Sequence, residues 1–134
     1  MTDSVGKLHK VMVVGVLSIG HEMTRSLWDI AEVDEVYNVS SAEEAINLYA
    51  ELKPDLIFID VIQEGMSGIE AGKLIREQYA RTRTVLVSET FDVEFLVAAR
   101  DAGMNGYMVR CLDPMVLQCV IREVEVGWFS AFMV

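Results

Sequence analysis

Three side chains with chemistry of their own follow three apolar runs of the sequence, each at the point where the run ends. Asp60 closes DLIFID, Ser88 closes TVLVS, and Arg110 closes GYMVR. A carboxylate in this place is a candidate nucleophile or metal ligand, a hydroxyl can donate to an anion, and a guanidinium brings a permanent positive charge. Taken singly, Asp60 is equally compatible with a loop aspartate that caps a turn, Ser88 is better explained as an ordinary strand-end serine, and Arg110 has a solvated arginine as its alternative. Together they predict one polar site.

The elements that must position these side chains alternate along the chain. Strands are predicted at Lys10–Gly15, Glu35–Val39, Asp55–Asp60, Thr84–Ser88 and Gly106–Val109. Helices are predicted near Ile19–Ala31, Ala42–Leu52, Gly68–Tyr79, Val93–Ala102 and Pro114–Val126. This alternation indicates an α/β, doubly wound, five-stranded parallel sheet with helices on both faces. In such sheets the functional crevice lies outside the carboxyl ends of the strands, where all three runs end.

Composition narrows the class of protein. The 134 residues are enough for one domain with a single core, and 52% hydrophobic with 24% charged residues is a globular composition. The net charge of −10 argues against nucleic-acid binding by this segment. Without a span-length apolar run or a signal peptide, we expect a soluble, cytoplasmic protein with no membrane contact. Cys111 and Cys119 are expected to be free thiols.

A family resemblance rests on the segments KPDLIFIDVIQEGMSGIEAGKLIRE and DAGMNGYMVRCLDP. One strand ends in Asp60, the next in Ser88, and Tyr107-x-x-Arg110 is followed by LDP. In this combination the chain resembles the receiver domain of bacterial two-component response regulators over roughly residues 8–126. The resemblance implies a flavodoxin-like fold with strand order 2-1-3-4-5 and five helices.

The resemblance also implies a phosphorylation switch. A sensor histidine kinase passes a phosphoryl group to the aspartate, here Asp60, with Mg²⁺ held partly by two acids after the first strand. The hydroxyl of Ser88 and a lysine after the fifth strand bind the phosphate. An aromatic residue, here Tyr107, changes rotamer as the signal moves to the face made by the fourth helix, fifth strand and fifth helix.

The acid pair of that family is missing from this sequence. Gly15 and Val16 occupy its two positions, which leaves Asp60 as the strand-end carboxylate for a cation that prefers several oxygen ligands. We therefore expect Mg²⁺ binding to be weak or absent, and a phosphoryl donor to lack its main charge screen. His21 and Glu22 lie too far into the first helix to be obvious substitutes.

Three further departures surround Asp60. Arg110 replaces the family's lysine. Its planar guanidinium can form a two-point, standing ion pair with Asp60, although an arginine turned to solvent is the equal alternative. Glu89 follows Ser88 where the family prefers a small residue, and it would repel a phosphate unless it faces outward. Cys111 replaces a proline, so we expect the Arg110–Cys111 peptide bond to be trans.

Apolar residues on the last two predicted helices outnumber what one buried stripe needs. The candidate interface residues are Phe91, Phe95, Met115, Cys119 and, on the first helix, Trp28. They predict contact with a sensor kinase or an output domain, or a homodimer through helices 4/5 or 1/5. The alternative is looser packing in a small domain.

The segment EVGWFSAFMV continues with aromatic residues beyond Gly127, which should stop the fifth helix. In response regulators with a LuxR-type helix-turn-helix, a similar segment precedes the linker to the DNA-binding domain. Residues 127–134 are therefore interpreted as an apolar tail or the start of such a linker, in a chain that is or descends from the N-terminal receiver part of a transcription regulator. A tail folded back on its own domain is the open alternative.

These features favour a single receiver-like domain over residues 1–134 that is not an enzyme and regulates by protein contacts, largely without phosphorylation. One alternative is a working phospho-receiver that accepts a phosphoryl group on Asp60. Another is a flavodoxin-like binder of a small molecule, although the loop GVLSIGH lacks the hydroxyls expected for flavin and the Asp-x-His pattern expected for corrinoid. Nothing in the sequence indicates a hydrolase or a zinc site.

Overall fold

Helices and strands alternate along the chain as the sequence predicts, in a computed structural model that describes residues 9–15, 17–62 and 65–132. In chain order the elements are β1 (His9–Val14), α1 (Leu17–Trp28), β2 (Val33–Val39), α2 (Ala42–Leu52), β3 (Leu56–Asp60), α3 (Gly68–Gln78), β4 (Arg83–Ser88), α4 (Val93–Asp101), β5 (Gly106–Val109), α5 (Pro114–Glu125) and β6 (Ser130–Phe132). None of the described helices is long and apolar enough to cross a bilayer.

The strands form one parallel sheet in the order β2-β1-β3-β4-β5-β6. The predicted order of the first five strands is confirmed, but the sheet has a sixth strand where five were expected. Ser130 to Phe132 pair with β5 in a register that places Gly106 opposite Ser130. The apolar tail is thus folded back on its own domain as far as Phe132, while Met133 and Val134 lie outside the described residues.

The sheet separates two hydrophobic clusters because successive strand residues point to opposite faces. On one face, Val11 and Val13 pack with α1 and α5. On the other, Met12 and Val14 pack with α2, α3 and α4. Both faces of the sheet are therefore buried, which explains why its central strands are apolar at nearly every position.

The end of α1 differs from the prediction. The helix stops at Trp28 instead of Ala31, because the Asp29 and Ile30 amides bond to carbonyls three residues back, at 3.2 and 3.1 Å. Such bonds tighten the last turn of a helix and end it. As a result β2 begins at Val33, two residues earlier than expected.

Candidate functional site

The carboxyl edge of the sheet brings the predicted side chains together. Asp60 ends β3, Ser88 ends β4, and the Arg110 amide directly after β5 donates to the Ser88 carbonyl at 2.8 Å. Gly15 follows β1, and its amide donates to the Val39 carbonyl at 3.0 Å. The convergence predicted from the ends of the apolar runs is therefore confirmed. Val16, the second acid-pair position, lies outside the described residues.

Gly15 and Asp60 lie so close that a side chain at position 15 would meet the aspartate. A Cβ built on Gly15 would lie 3.0 Å from the Asp60 Cβ and 3.5 Å from its Oδ2. The Asp60 side chain thus covers the space in which an acid at position 15 would begin. Restoring an acid there requires the neighbouring atoms to shift by a few tenths of an ångström.

Asp60 is half-buried, and its surroundings do not favour its negative charge. Its Oδ1 accepts a hydrogen bond from the Ile62 amide at 2.9 Å. Burial raises the pKa of the Asp60 carboxyl, the Ile62 hydrogen bond opposes this, the charge of Glu89 adds to it, and Arg110 lowers it. The carboxyl therefore keeps its proton to a higher pH than an exposed aspartate does.

Arg110 pairs with two glutamates instead of Asp60, so the predicted two-point Asp60–Arg110 ion pair is wrong. Its Nη1 lies 2.7 Å from Oε1 of Glu22, and its Nε lies 3.5 Å from Oε2 of Glu89. The guanidinium can reach both because Glu22 on α1 and Glu89 after β4 flank the β5–α5 loop. At longer range, the positive charge of Arg110 lowers the pKa of the Asp60 carboxyl. The described peptide bonds are all trans, as expected for Arg110–Cys111.

A buried hydrogen-bond network joins Ser88 to Tyr107. The Ser88 Oγ lies 2.6 Å from the Tyr107 hydroxyl and donates to the Thr90 carbonyl at 2.8 Å. The Tyr107 hydroxyl also accepts from the Asp92 amide at 3.0 Å. These hydrogen bonds are mutually consistent when the Asp92 amide donates to the Tyr107 hydroxyl, this hydroxyl donates to Ser88 Oγ, and Ser88 donates to the Thr90 carbonyl. The serine hydroxyl is committed to this chain.

The same network ties β5 to the start of α4. Asp92 is the N-cap of α4, and its Oδ1 accepts from the Glu94 amide at 2.9 Å. Tyr107 is completely buried, and the Phe91 ring lies against it with 5.9 Å between ring centroids. The tyrosine side chain is thus held in an inward orientation by its hydroxyl and its ring.

A family assignment follows from the match of this sequence to known proteins. Residues 18–122 match the family described as the response regulator receiver domain. The chain belongs to the response regulator receiver family. Domains of this family are signalling modules of two-component systems that interact with kinases and output domains, and they are generally not catalytic.

Similar proteins include other response regulators. The response regulator protein VraR of Staphylococcus aureus is 28% identical over 122 residues, which cover 87% of this receiver and 58% of VraR. A LuxR-family two-component response regulator from Aurantimonas sp. SI85-9A1 superposes with a TM-score of 0.81 and 28% identity, over 92% of this chain and 89% of that one. The chain thus spans about 58% of the length of the curated relatives it matches.

Two further solved structures share the fold. The chemotaxis response regulator CheY4 of Vibrio cholerae has a TM-score of 0.77 and 26% identity, over 88% of this receiver and 99% of that chain. The isolated receiver domain of RcsB from Salmonella enterica serovar Typhimurium has a TM-score of 0.82, over 93% of this receiver and 94% of that chain. At 17% identity the RcsB likeness bears on the fold alone.

The donor set around Asp60 does not suit the Mg²⁺ ion that the family uses. Position 15 offers no side chain, and the guanidinium of Arg110 already binds the carboxylates of Glu22 and Glu89. Mg²⁺ needs oxygen ligands in near-octahedral geometry. Within the described ranges, no three His, Cys, Asp or Glu side chains are grouped as metal ligands. The described side chains around Asp60 therefore do not supply the oxygen ligands that this ion needs.

The loop after Asp60 is anchored by a residue that sequence reasoning missed. Glu43 on α2 accepts from the Met66 amide at 3.0 Å, and its Oε2 would lie 2.8 Å from a Cβ at Gly65. A Cβ at Gly68 would lie 2.3 Å from the Asp60 carbonyl oxygen. Two glycines thus allow the β3–α3 loop to pack closely against α2 and the end of β3.

The candidate interface residues differ in exposure. Met115 is 74% exposed, Trp28 52% and Phe91 41%, and Cys119 is also exposed. Phe95 is partly buried against the cluster under α4, so less of its side chain is accessible to a partner. The surplus apolar residues of α4 at its surface are Val93 and Val97. The helix buries Ala99 and part of Phe95 and leaves these two valines at the surface.

Glu22, Thr90 and Asp92 also belong to the site and were not predicted. The sequence places Glu22 too far along α1 to be an obvious substitute for the acid pair, but a long glutamate and a long arginine reach each other across the edge. An acid at the predicted start of α4 was the available signal for Asp92, since aspartate is a preferred N-cap. Thr90 participates through its carbonyl, which no side-chain pattern reveals.

Proposed function

We propose that this receiver regulates a partner through protein contacts, without phosphorylation of Asp60. The observation that carries the proposal is the pairing of the Arg110 guanidinium with two carboxylates. In the family a cation at this position is available for an incoming phosphate, whereas here two carboxylates lie 2.7 and 3.5 Å from the guanidinium. An anionic phosphoryl group would have to displace or repel both Glu22 and Glu89.

Two other features support the proposal. Without an acid at position 15, one ligand is missing for the metal ion that would neutralise the charge of the transferring phosphoryl group. The Ser88 hydroxyl, which would bind the phosphate, instead bonds to Tyr107 and to the Thr90 carbonyl. Binding a phosphate would require this buried network to break.

The proposed output is the surface around α4, β5 and α5. The inward orientation of Tyr107 is stabilised by hydrogen bonds that need no phosphate. We propose that this fixes the surface in one arrangement for a sensor kinase, an output domain or a second copy of the chain. The exposed apolar side chains of Phe91, Val93 and Met115 would supply contact area.

Intact mass spectrometry after incubation with acetyl phosphate and Mg²⁺ tests the proposal. We expect no mass increase in the wild type, with a competent receiver treated in parallel as the positive control. The Asp60→Asn variant controls for modification elsewhere. A single phosphoryl adduct that is present in the wild type and absent from Asp60→Asn would show that Asp60 is a working phosphoacceptor, and the proposal would be wrong.

Rebuilding the chemistry provides a second arm of the test. A variant that combines Gly15→Asp, Val16→Asp and Arg110→Lys restores the residue types of the family at three positions. We expect Mg²⁺-dependent phosphorylation to appear in this variant, because the two acids restore metal ligands and a flexible lysine is not held to the glutamates by a planar guanidinium. Phosphorylation of the wild type at the same rate would mean that these residues do not determine the loss.

A second part of the proposal concerns the output domain. The LuxR-family structure at 28% identity and the 58% coverage of VraR support a receiver that controls transcription through a DNA-binding domain. The charge of −10 on this segment is the reason to assign DNA binding elsewhere. In a full-length protein, DNA binding measured by mobility shift should need no phosphoryl donor and should persist in Asp60→Asn.

A further inference from the structure

A groove lies between α5 and the sixth strand, away from Asp60. Its volume is about 400 Å³, and apolar atoms of Met115, Cys119 and Phe132 contribute to its lining. The charged residues that line it, Asp113 and Glu123, are both acidic. Met115 and Cys119 project from the exposed side of α5, so the groove is open to a partner.

One wall of the groove is the outer edge of β6. The Ser130 amide donates to the Asn105 carbonyl at 3.0 Å, so the backbone polar groups of Ser130 face β5. Because these groups alternate sides along a strand, the N–H and C=O of Ala131 point away from β5. Ala131 is exposed, and β6 is the outermost strand of the sheet in the described part of the chain.

We infer that this groove binds an extended, basic and apolar segment of a partner protein by strand addition. The partner backbone would exchange two hydrogen bonds with Ala131, which continues the sheet by one strand. Alternate apolar side chains of the segment would enter the groove beside Met115 and Phe132. Its basic side chains would meet Asp113 and Glu123.

Charge decides between this occupant and a second copy of the chain. Each copy carries a net charge of −10. A two-fold axis beside β6 would bring the acidic groove residues of both copies toward each other. A basic segment meets the same residues with attraction, which also raises its rate of association. A helical segment would leave the Ala131 N–H and C=O without partners.

Binding of a labelled model peptide tests the inference. The probe is a fluorescein-labelled, capped peptide of alternating lysine and valine, measured by fluorescence anisotropy at low salt. Two control peptides have glutamate in place of lysine, or the same lysines and valines in two blocks. We expect the alternating basic peptide to bind about tenfold or more tightly than either control.

A matched pair of variants isolates the backbone contact. Ala131→Pro removes the outward N–H while the bonds made by Ser130 stay in place, and proline is tolerated at an edge strand in this orientation. Ala131→Val keeps the N–H. We expect Ala131→Pro to weaken the alternating peptide about tenfold and Ala131→Val to change it less than about twofold.

A second pair tests the groove without touching the strand. Met115→Lys places a positive charge in the groove, at a side chain that is 74% exposed. Val126→Lys adds the same charge outside the groove lining, at a side chain that is 70% exposed. Loss of binding in Met115→Lys alone supports the inference. Equal loss in both variants would indicate attraction to the net charge of the protein and would overturn it.

Other results would also overturn the inference: equal binding of all three peptides, no binding of the alternating peptide, or tighter binding of a lysine–valine peptide with helical spacing. A dimer detected by sedimentation and abolished by Ala131→Pro would identify a second copy as the occupant. The inference rests on the proposed function only in needing a protein partner. The peptide-binding experiment contains no phosphoryl donor. A failure to bind the peptide is therefore a separate result from a phosphoryl adduct on Asp60, which would contradict the proposed function.

Discussion

Two edges of one sheet are built from different interactions. At the carboxyl edge, Asp60 and Arg110 are surrounded by half-exposed charges, and the ion pairs of Arg110 involve glutamate side chains that are 52% and 61% exposed. At the lateral edge, β6 adds backbone hydrogen bonds, while Phe129 and Phe132 pack against opposite core clusters. Exposed pairs contribute little to stability, whereas buried apolar area contributes much.

The contrast explains how a receiver can change its chemistry and keep its fold. Ile57, Phe58 and Ile59 are fully buried directly before Asp60. Along β3, the fully buried side chains therefore end directly before the half-exposed carboxylate of Asp60. Substitutions at the carboxyl edge alter charge with little loss of packing, so this edge is free to diverge. Changes at the lateral edge alter the sheet itself.

The largest effect is expected from Gly106→Ala on β5. An added Cβ would lie 2.7 Å from the Ser130 carbonyl oxygen, so β6 must shift away from β5. We expect the free energy of unfolding to fall by about 1–3 kcal/mol, the usual cost of overpacking. Urea denaturation followed by circular dichroism measures it.

The control for Gly106→Ala is Ala131→Val, which enlarges an exposed residue on the same strand pair. Its effect should stay within about 0.5 kcal/mol. If Gly106→Ala is as stable as the wild type, β6 contributes nothing to the stability of the domain. The contrast between the two edges would then lose its energetic basis.

A smaller effect is expected from Tyr107→Phe. The change removes the hydroxyl that bonds to Ser88 and accepts from the Asp92 amide, while the ring stays in place. We expect a loss of about 0.5–1.5 kcal/mol, since the serine can still donate to the Thr90 carbonyl. Faster hydrogen exchange of the Asp92 amide would locate the effect at the start of α4.

Tyr37→Phe is the matched control for the tyrosine hydroxyl. Tyr37 lies on β2, where its hydroxyl bonds to Glu35 at the surface side of the strand, far from α4. This variant should leave exchange of the Asp92 amide unchanged. A similar change of exchange in both variants would mean that the Tyr107 network does not hold α4.

The third prediction concerns Asp60 and pH. Because its pKa is raised in the folded state, the folded protein binds more protons than the unfolded one between the ordinary and the raised pKa. Stability contributed by Asp60 therefore falls as pH rises through that window. Asp60→Asn should be more stable than the wild type at pH 7, because the amide carries no charge that burial disfavours. The difference should vanish at acidic pH.

Glu32 supplies a control of opposite sign. Its hydrogen bond from Gln118 lowers the pKa of this buried carboxyl, burial opposes the effect, and Arg122 adds to it. Stability from Glu32 is present above its unfolded pKa and is lost as pH falls. Glu32→Gln should therefore be less stable than the wild type at pH 7. If both variants shift stability in the same direction, the account of Asp60 is wrong.

The sequence predicted the sheet well and the partners of the site poorly, for physical reasons. Apolar runs identify strands because parallel strands are buried on both faces, so Asp60 and Ser88 could be placed at one edge. The partner of Arg110 could not be predicted, because long charged side chains choose among several nearby carboxylates by small energies. The sixth strand could not be predicted, because a three-residue strand is too short to show a recognisable periodicity.

The smallest effect is expected for the pair of Glu22 and Arg110, and it decides what the arginine is for. A double-mutant cycle with Glu22→Gln and Arg110→Gln should give a coupling energy of about 0.2–1 kcal/mol that declines with added salt. A Glu70→Gln and Arg110→Gln cycle should give none, because Glu70 lies on α3 and its carboxylate accepts from the Ser67 amide. A coupling of several kcal/mol would mean that Arg110 is a structural clamp, and that loss of phosphate binding is a by-product of stability. A small coupling leaves charge neutralisation beside Asp60 as the effect with a functional consequence, because a pair that barely stabilises the domain still determines whether an anion can approach.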